Sequence, residues 1–191
     1  VAALSRHAAA LKVGDPLDLG SQVGAINSLG QLEGNLGFVA DATAHGAEIA
    51  LGGGRILEST GGSYMEPTVL TGVAPENRVF REEVFGPVLA VTAFDGDDEA
   101  IALANDSEFG LGSGVFTQDV ARAHRVSGRL HAGICWVNTY RAISPIAPFG
   151  GFNASGYGRE AGAEAVLDYT RTKTTWINTS DQPMANPFVM R

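Results

Sequence analysis

The chain has 191 residues, with 13 Lys plus Arg against 21 Asp plus Glu, a net charge of −8, and 45% hydrophobic against 18% charged residues. That composition is ordinary for a globular chain with enough length to bury a core, and too apolar for intrinsic disorder. The acidic excess disfavours a phosphate backbone, and the apolar runs are short and broken by glycine, so neither nucleic acid nor membrane is expected as a partner.

A single cysteine, Cys135, excludes an internal disulfide and a Cys-rich metal site and fits a reducing, cytoplasmic compartment. The chain opens without Met, inside "VAALSRHAAALKVGDP", which reads as an amphipathic helix with no N-cap before it. A piece of a longer polypeptide is therefore expected. Gly14 and Pro16 end that helix. Ser28 followed by Gln31 has the spacing of a capping box, and Leu29, Leu32, Leu36, Val39 and Ala40 share one helical face, predicting a second helix that stops at Gly46.

Ala47 to Leu51 reads as a short strand ended by three glycines, "MEPTVLTGV" as extended chain and "GPVLAVTAF" as a buried strand. "DGDDEAIALANDS" predicts a helix whose acidic first turn complements its dipole. Leu111 to Phe116 reads as a strand, the segment from Thr117 as a helix and "GICWVN" as another strand. Strands alternating with helices predict an α/β fold, a parallel sheet with helices on both faces. A Gly/Pro/Ser-rich loop from Tyr140 to Gly158, a short helix and the alternating "TRTKTTWINT" follow. A terminal strand is an open hydrogen-bonding template, which either pairs with another chain or caps the chain's own sheet.

The glycines of "GLGSGV" lie in a predicted strand, and "GYGREAG" follows a long loop, so neither reads as a dinucleotide fingerprint; both read as packing and turn glycines. Cys135, between Ile134 and Trp136, reads as a small core hydrophobe, with a working thiol as the weaker alternative. The four histidines have no metal-ligand spacing, and no metal site is expected. Two stretches remain, "EEVFGPV" and "NTYRAISPIAPFGGFNASGYGRE". In the first, the Gly86–Pro87 break sets Glu83 and Phe85 at a strand entrance, where a carboxylate can accept the two hydroxyls of a ribose and an aromatic face can pack on a nicotinamide. A solvated Glu pair beside a core Phe is the plainer reading of the same residues.

Taken together, "VGDP", "GGGR", "EPTVL", "EEVFGPVLAV", "ALANDSEFGLGSGVFT", "GICWVN", "PFGG", "SGYGRE" and "YTRTK" resemble, in order and over nearly the whole chain, the aldehyde dehydrogenase superfamily. The resemblance implies a three-layer parallel sheet with helices on both faces, the C-terminal part of the catalytic domain at 1–170, and an oligomerisation strand with its tail at 171–191. It implies an oxidoreductase that converts an aldehyde to a carboxylic acid with NAD or NADP through a cysteine thiohemiacetal. It also implies that the nucleophilic Cys, the general-base Glu and most of the dinucleotide-binding domain lie upstream of Val1, leaving no catalytic residue here. Glu83 resembles the glutamate on the nicotinamide ribose, and Phe85 the aromatic beside the nicotinamide. Ile143 and Phe149 fall where the family lines its aldehyde pocket, and Tyr140 and Arg141 near its mouth. An Asn153 stands where Lys is common. Thr172 to Asn178 resembles the strand that joins a neighbouring subunit, implying a homo-oligomer, dimer or tetramer. The alternative is a non-catalytic folded module that assembles through its C-terminal edge strand.

Overall fold

The computed structural model describes residues 1–183, 186, 188 and 189. Helix α1 (Ala2–Ala9) buries none of its residues and lies against strand β1 (Glu48–Leu51). Helix α2 (Leu29–Ala44) begins where Ser28 accepts a hydrogen bond from the Gln31 amide at 3.1 Å. The capping box is only half made, because the Gln31 side chain donates instead to the Val84 carbonyl, 3.0 Å away. Three glycines inside α2 weaken its intrinsic preference, so burial must hold it: Leu32, Phe38, Val39 and Ala42 are buried against Leu70, Met65, Val73, Val79 and Val84.

A hairpin of β2 (Arg55–Ile56) and β3 (Tyr64–Met65) leads to β4 (Thr68–Thr71), a short helix α3 (Arg78–Arg81) and β5 (Val88–Ala90). β4 is the centre of one sheet, antiparallel to β1 and parallel to β5. Helix α4 (Asp97–Asn105) carries Asp97, Asp98 and Glu99 in its first turn, as the dipole argument predicts. β6 (Phe109–Gly110) and β7 (Gly112–Val115) precede helix α5 (Val120–Ser127) and β8 (Ile134–Val137), and β7 pairs with β8 in parallel. β9 (Phe152–Asn153) returns antiparallel to β6, and α6 (Ala165–Asp168) follows.

The α/β class and the parallel pairs match the sequence reading, but the sheets are mixed and separate. A hollow of about 660 Å³, lined by Ala90 and Thr92 on one side and Gly112 to Phe116 on the other, keeps the outer edge of β5 from β7. Strand β5 is consequently shorter and less buried than its apolar run suggested, with Leu89 47% exposed. Helix α5 starts at Val120 rather than Thr117, because the Asn138 amide clasps the Thr117 backbone, accepting from its N–H and donating to its carbonyl at 2.8 Å each. Asp119 becomes the cap, accepting from the Arg122 amide.

Residues 170–180 contain no strand. The reading in which "TRTKTTWINT" caps the chain's own sheet therefore fails. A β-segment needs a ladder partner, none pairs with it among the described residues, and Trp176 and Ile177 stay exposed. The expected oligomerisation segment and tail, 171–191, includes residues 184, 185, 187, 190 and 191, which lie outside the described residues.

Candidate cofactor and substrate site

The two adjacent glutamates have opposite circumstances. Glu82 closes α3, accepting from the Arg78 Nε through both carboxylate oxygens at 2.9 and 3.0 Å. That hydrogen bond holds the Glu82 carboxyl below its ordinary range and raises the Arg78 guanidinium. Arg78 also stacks over the Phe38 ring at 4.0 Å, and Glu82, although solvent-exposed as expected, has its carboxylate engaged by this anchored guanidinium. Glu83 is exposed and has no hydrogen bond or ion pair among the described residues. It lines a hollow of about 350 Å³ together with Ser107, Gly110, Gly112, His131 and Ser155.

The next residues alternate sharply. Val84 is buried in the core, whereas Phe85 is 76% exposed with φ of 56°, left-handed backbone that a non-glycine residue seldom adopts. Phe85 is therefore not the core aromatic of the plainer reading. Its ring is presented outward by a conformation that costs of order 1–3 kcal/mol and persists only where neighbouring contacts impose it.

Ile143 and Phe149 meet in a second hollow of about 180 Å³, with Ile134 and Pro148 beside them. Tyr140 and Arg141 do not line it. Tyr140 packs edge-on against Trp136, ring centroids 5.5 Å apart, and Trp136 Nε1 donates to the Ala142 carbonyl at 2.8 Å. Arg141 is exposed with φ of 59°. A third hollow, about 620 Å³, joins the other two in their linings, sharing Leu111 and Ser155 with the Glu83 hollow and Phe149 with the Ile143 hollow. Glu83 and Phe149 thus lie along one run of concave surface, not in a single pocket.

Backbone contacts hold the Phe149 loop. Phe149 and Glu160 exchange hydrogen bonds of 2.7 and 2.6 Å, and Arg159 Nη1 donates to the carbonyls of Gly151 and Gly158. Glycines permit the stacking: a Cβ on Gly133 would lie 1.7 Å from the Gly150 oxygen, and one on Gly150 would lie 2.2 Å from the Gly158 oxygen. Among the glycines of "GLGSGV" and "GYGREAG", a Cβ on Gly110 would lie 2.8 Å from the His131 oxygen, and Gly156 and Gly162 turn the chain at φ of 100° and 68°. Asn153 sits at φ of 53°, and Asn tolerates that turn. Cys135 is half-buried in β8, its Sγ facing the Trp136 carbonyl at 3.9 Å, with no base hydrogen-bonded to it among the described residues. No helix there is long and apolar enough to cross a membrane, and no group of three or more His, Cys, Asp or Glu residues could hold a metal ion among the described residues.

Gln31 and Asn35, both on α2, grip the Glu83 loop; the sequence marked Gln31 only as a capping-box residue and Asn35 not at all. Their polar character within a helix looks like ordinary surface, and the only available signal was that Asn35 falls beside Leu32, Phe38 and Val39 on the buried face.

The profile of the aldehyde dehydrogenase family matches residues 1–175. The chain belongs to the aldehyde dehydrogenase family. A betaine aldehyde dehydrogenase of Mesorhizobium japonicum is 44% identical over 93% of this chain. Of that relative's own length the chain spans 37%. An aldehyde dehydrogenase variant of Bacillus cereus superposes with a TM-score of 0.88 at 38% identity, covering 94% of this chain and 36% of that one. A betaine aldehyde dehydrogenase of Staphylococcus aureus in complex with NAD+ superposes with a TM-score of 0.84 at 35% identity, covering 95% of this chain and 38% of the other. The α/β architecture of the family is thus present here, in a chain about a third as long as its relatives.

Proposed function

We propose that this chain is the part of an NAD(P)+-dependent aldehyde dehydrogenase that positions the nicotinamide end of the cofactor and lines the aldehyde pocket, and that it does not oxidise aldehydes alone. The observation that carries this reading is the pair formed by Glu83, a carboxylate without a partner among the described residues and beside a hollow, and Phe85, an exposed ring held in strained backbone two residues away. A carboxylate with both oxygens free can accept both hydroxyls of a ribose, and an exposed ring gains by packing on a planar heterocycle. Bound NAD(P)+ supplies a hydride acceptor. The contribution of Glu83 and Phe85 is to orient that acceptor, and Ile143 and Phe149 give the aldehyde an apolar wall that excludes water. Tyr140 and Arg141 stand at the mouth. The nucleophilic cysteine and general base belong to a segment outside these 191 residues.

The chain functions in the cytoplasm as part of a homo-oligomer, dimer or tetramer, with residues 171–191 as the assembling segment and 1–170 as the catalytic-domain portion. Exposed Trp176 and Ile177, without a ladder partner among the described residues, support the assembly reading. The functional reading is tested by Glu83→Gln in the complete dehydrogenase that carries this chain. Hydrogen bonds to a charged acceptor contribute about 1.5–3 kcal/mol each, so the KM for NAD(P)+ should rise at least about tenfold while that for the aldehyde stays within about twofold. An unchanged cofactor KM would remove Glu83 from the site.

A further inference from the structure

The loop that presents Glu83 and Phe85 rests on one buried polar side chain. Asn35 is fully buried on α2, among Leu32, Phe38 and Val39, where an amide is costly unless its donors and acceptors are used. Its polar neighbours are Gln31, one turn earlier on α2, and the Val84 carbonyl of the loop packed against that helix. In the amide orientation that gives its nitrogen acceptors, Asn35 donates to the Val84 carbonyl at 2.8 Å and to the Gln31 carbonyl at 3.1 Å. The same Asn35 terminal atom lies 2.8 Å from Gln31 Nε2, which itself reaches the Val84 carbonyl at 3.0 Å. Two residues further along, Gly86 lies flat on the Asn35 amide: a Cβ there would come within 2.1 Å of its terminal atom and 2.6 Å of its Cγ. Phe85, at φ of 56°, is bracketed between these two contacts.

We propose that Asn35 is a positioning residue for the cofactor loop: its amide fixes the Val84 carbonyl and seats Gly86, which forces Phe85 into left-handed backbone and turns Phe85 and Glu83 outward. The proposal rests on reading Glu83 and Phe85 as the cofactor-contacting pair. With the amide gone, Phe85 is free to relax to ordinary backbone and its ring and the adjacent carboxylate lose their shared direction, while the Phe149 wall, held by its own bridge to Glu160, is untouched. Asn35 therefore acts on cofactor binding through the loop and touches no substrate.

The test uses the complete dehydrogenase and four variants, Asn35→Ala, Gly86→Ala, their combination, and Glu83→Gln, each measured for kcat and for both KM values. Gly86 is not in left-handed backbone, so its substitution is opposed mainly by the Asn35 amide. Asn35→Ala and Gly86→Ala should each raise the KM for NAD(P)+ about tenfold and leave the aldehyde KM within about twofold. In the double variant the missing amide makes room for the new methyl, so Gly86→Ala should add less than about twofold to Asn35→Ala. Effects that multiply independently, or that fall equally on both KM values, overturn the positioning role. If Asn35→Ala does not fold, Gly86→Ala carries the same KM comparison alone. A normal cofactor KM in both loop variants alongside a raised one in Glu83→Gln defeats Asn35 and leaves the ribose reading standing. A normal cofactor KM in Glu83→Gln defeats both.

Discussion

Replacing Gly133 by alanine inserts a methyl group between two backbones. The new Cβ would lie 1.7 Å from the Gly150 oxygen and 2.8 Å from the Gly150 carbonyl carbon, where ordinary contact begins near 3.4 Å. Neither side can yield cheaply. Gly133 donates to the Gly110 carbonyl at 2.9 Å as the chain enters β8, and Gly150 follows directly on Phe149, which is locked to Glu160. The collision is backbone on backbone, so the cost belongs at the upper end of overpacking, about 3 kcal/mol. For a domain of this size that corresponds to a melting temperature lower by roughly 6–12 °C, read by circular dichroism of the chain itself. The displaced loop also carries Phe149, so in the complete dehydrogenase the aldehyde KM should rise while the cofactor KM holds. A Gly133→Ala chain that melts within about 1 °C of the parent would refute the close approach of the two segments.

Gly37→Ala in α2 should do the opposite: it is exposed, a Cβ there meets nothing within 4 Å, and alanine in a helix interior gains about 0.5–1 kcal/mol, raising the denaturation midpoint. Asp97 gives a pH signature. Hydrogen bonds from Arg125 and Arg122 hold its carboxyl below the ordinary aspartate range, so its contribution is present above the unfolded value of about 3.9 and disappears as pH falls through the folded value beneath it. The stability gap between the parent and Asp97→Asn, measured by urea denaturation, should be small and constant at neutral pH and close on acidification; a gap that widens would contradict the pairing. Removing residues 172–191 should lower the assembly mass measured by light scattering, and an unchanged mass would take the oligomer contact elsewhere.

Local chemistry was legible in the sequence. Ser28 marked the start of α2, the Asp97 to Glu99 turn marked α4, and the Gly86–Pro87 break marked the loop that displays Glu83. What escaped was set by contacts across the chain. Asn138 shifts the start of α5 by consuming the Thr117 backbone, 21 residues away, and Gln31 reaches Val84 across 53 residues instead of closing its own capping box. The strand expected at Thr172 is not formed among the described residues, because a β-segment needs a ladder partner and none pairs with it there. Ile143 and Phe149 line one hollow, whereas Tyr140 packs edge-on against Trp136, a contact that residue spacing alone does not reveal. The Gly86–Pro87 break pointed to a displayed Phe85, but the left-handed backbone that displays it was not readable, because it depends on contacts with α2.

The central claim is that Glu83 receives the hydroxyls of the nicotinamide ribose. Its most direct test pairs a change in the protein with a change in the cofactor: the affinities of NAD+ and of an analogue lacking those two hydroxyls, measured by calorimetry on the complete dehydrogenase and on its Glu83→Gln variant. The parent should prefer NAD+ by about ten- to a hundredfold, and the variant should lose most of that preference. The same preference in both proteins would contradict the assignment.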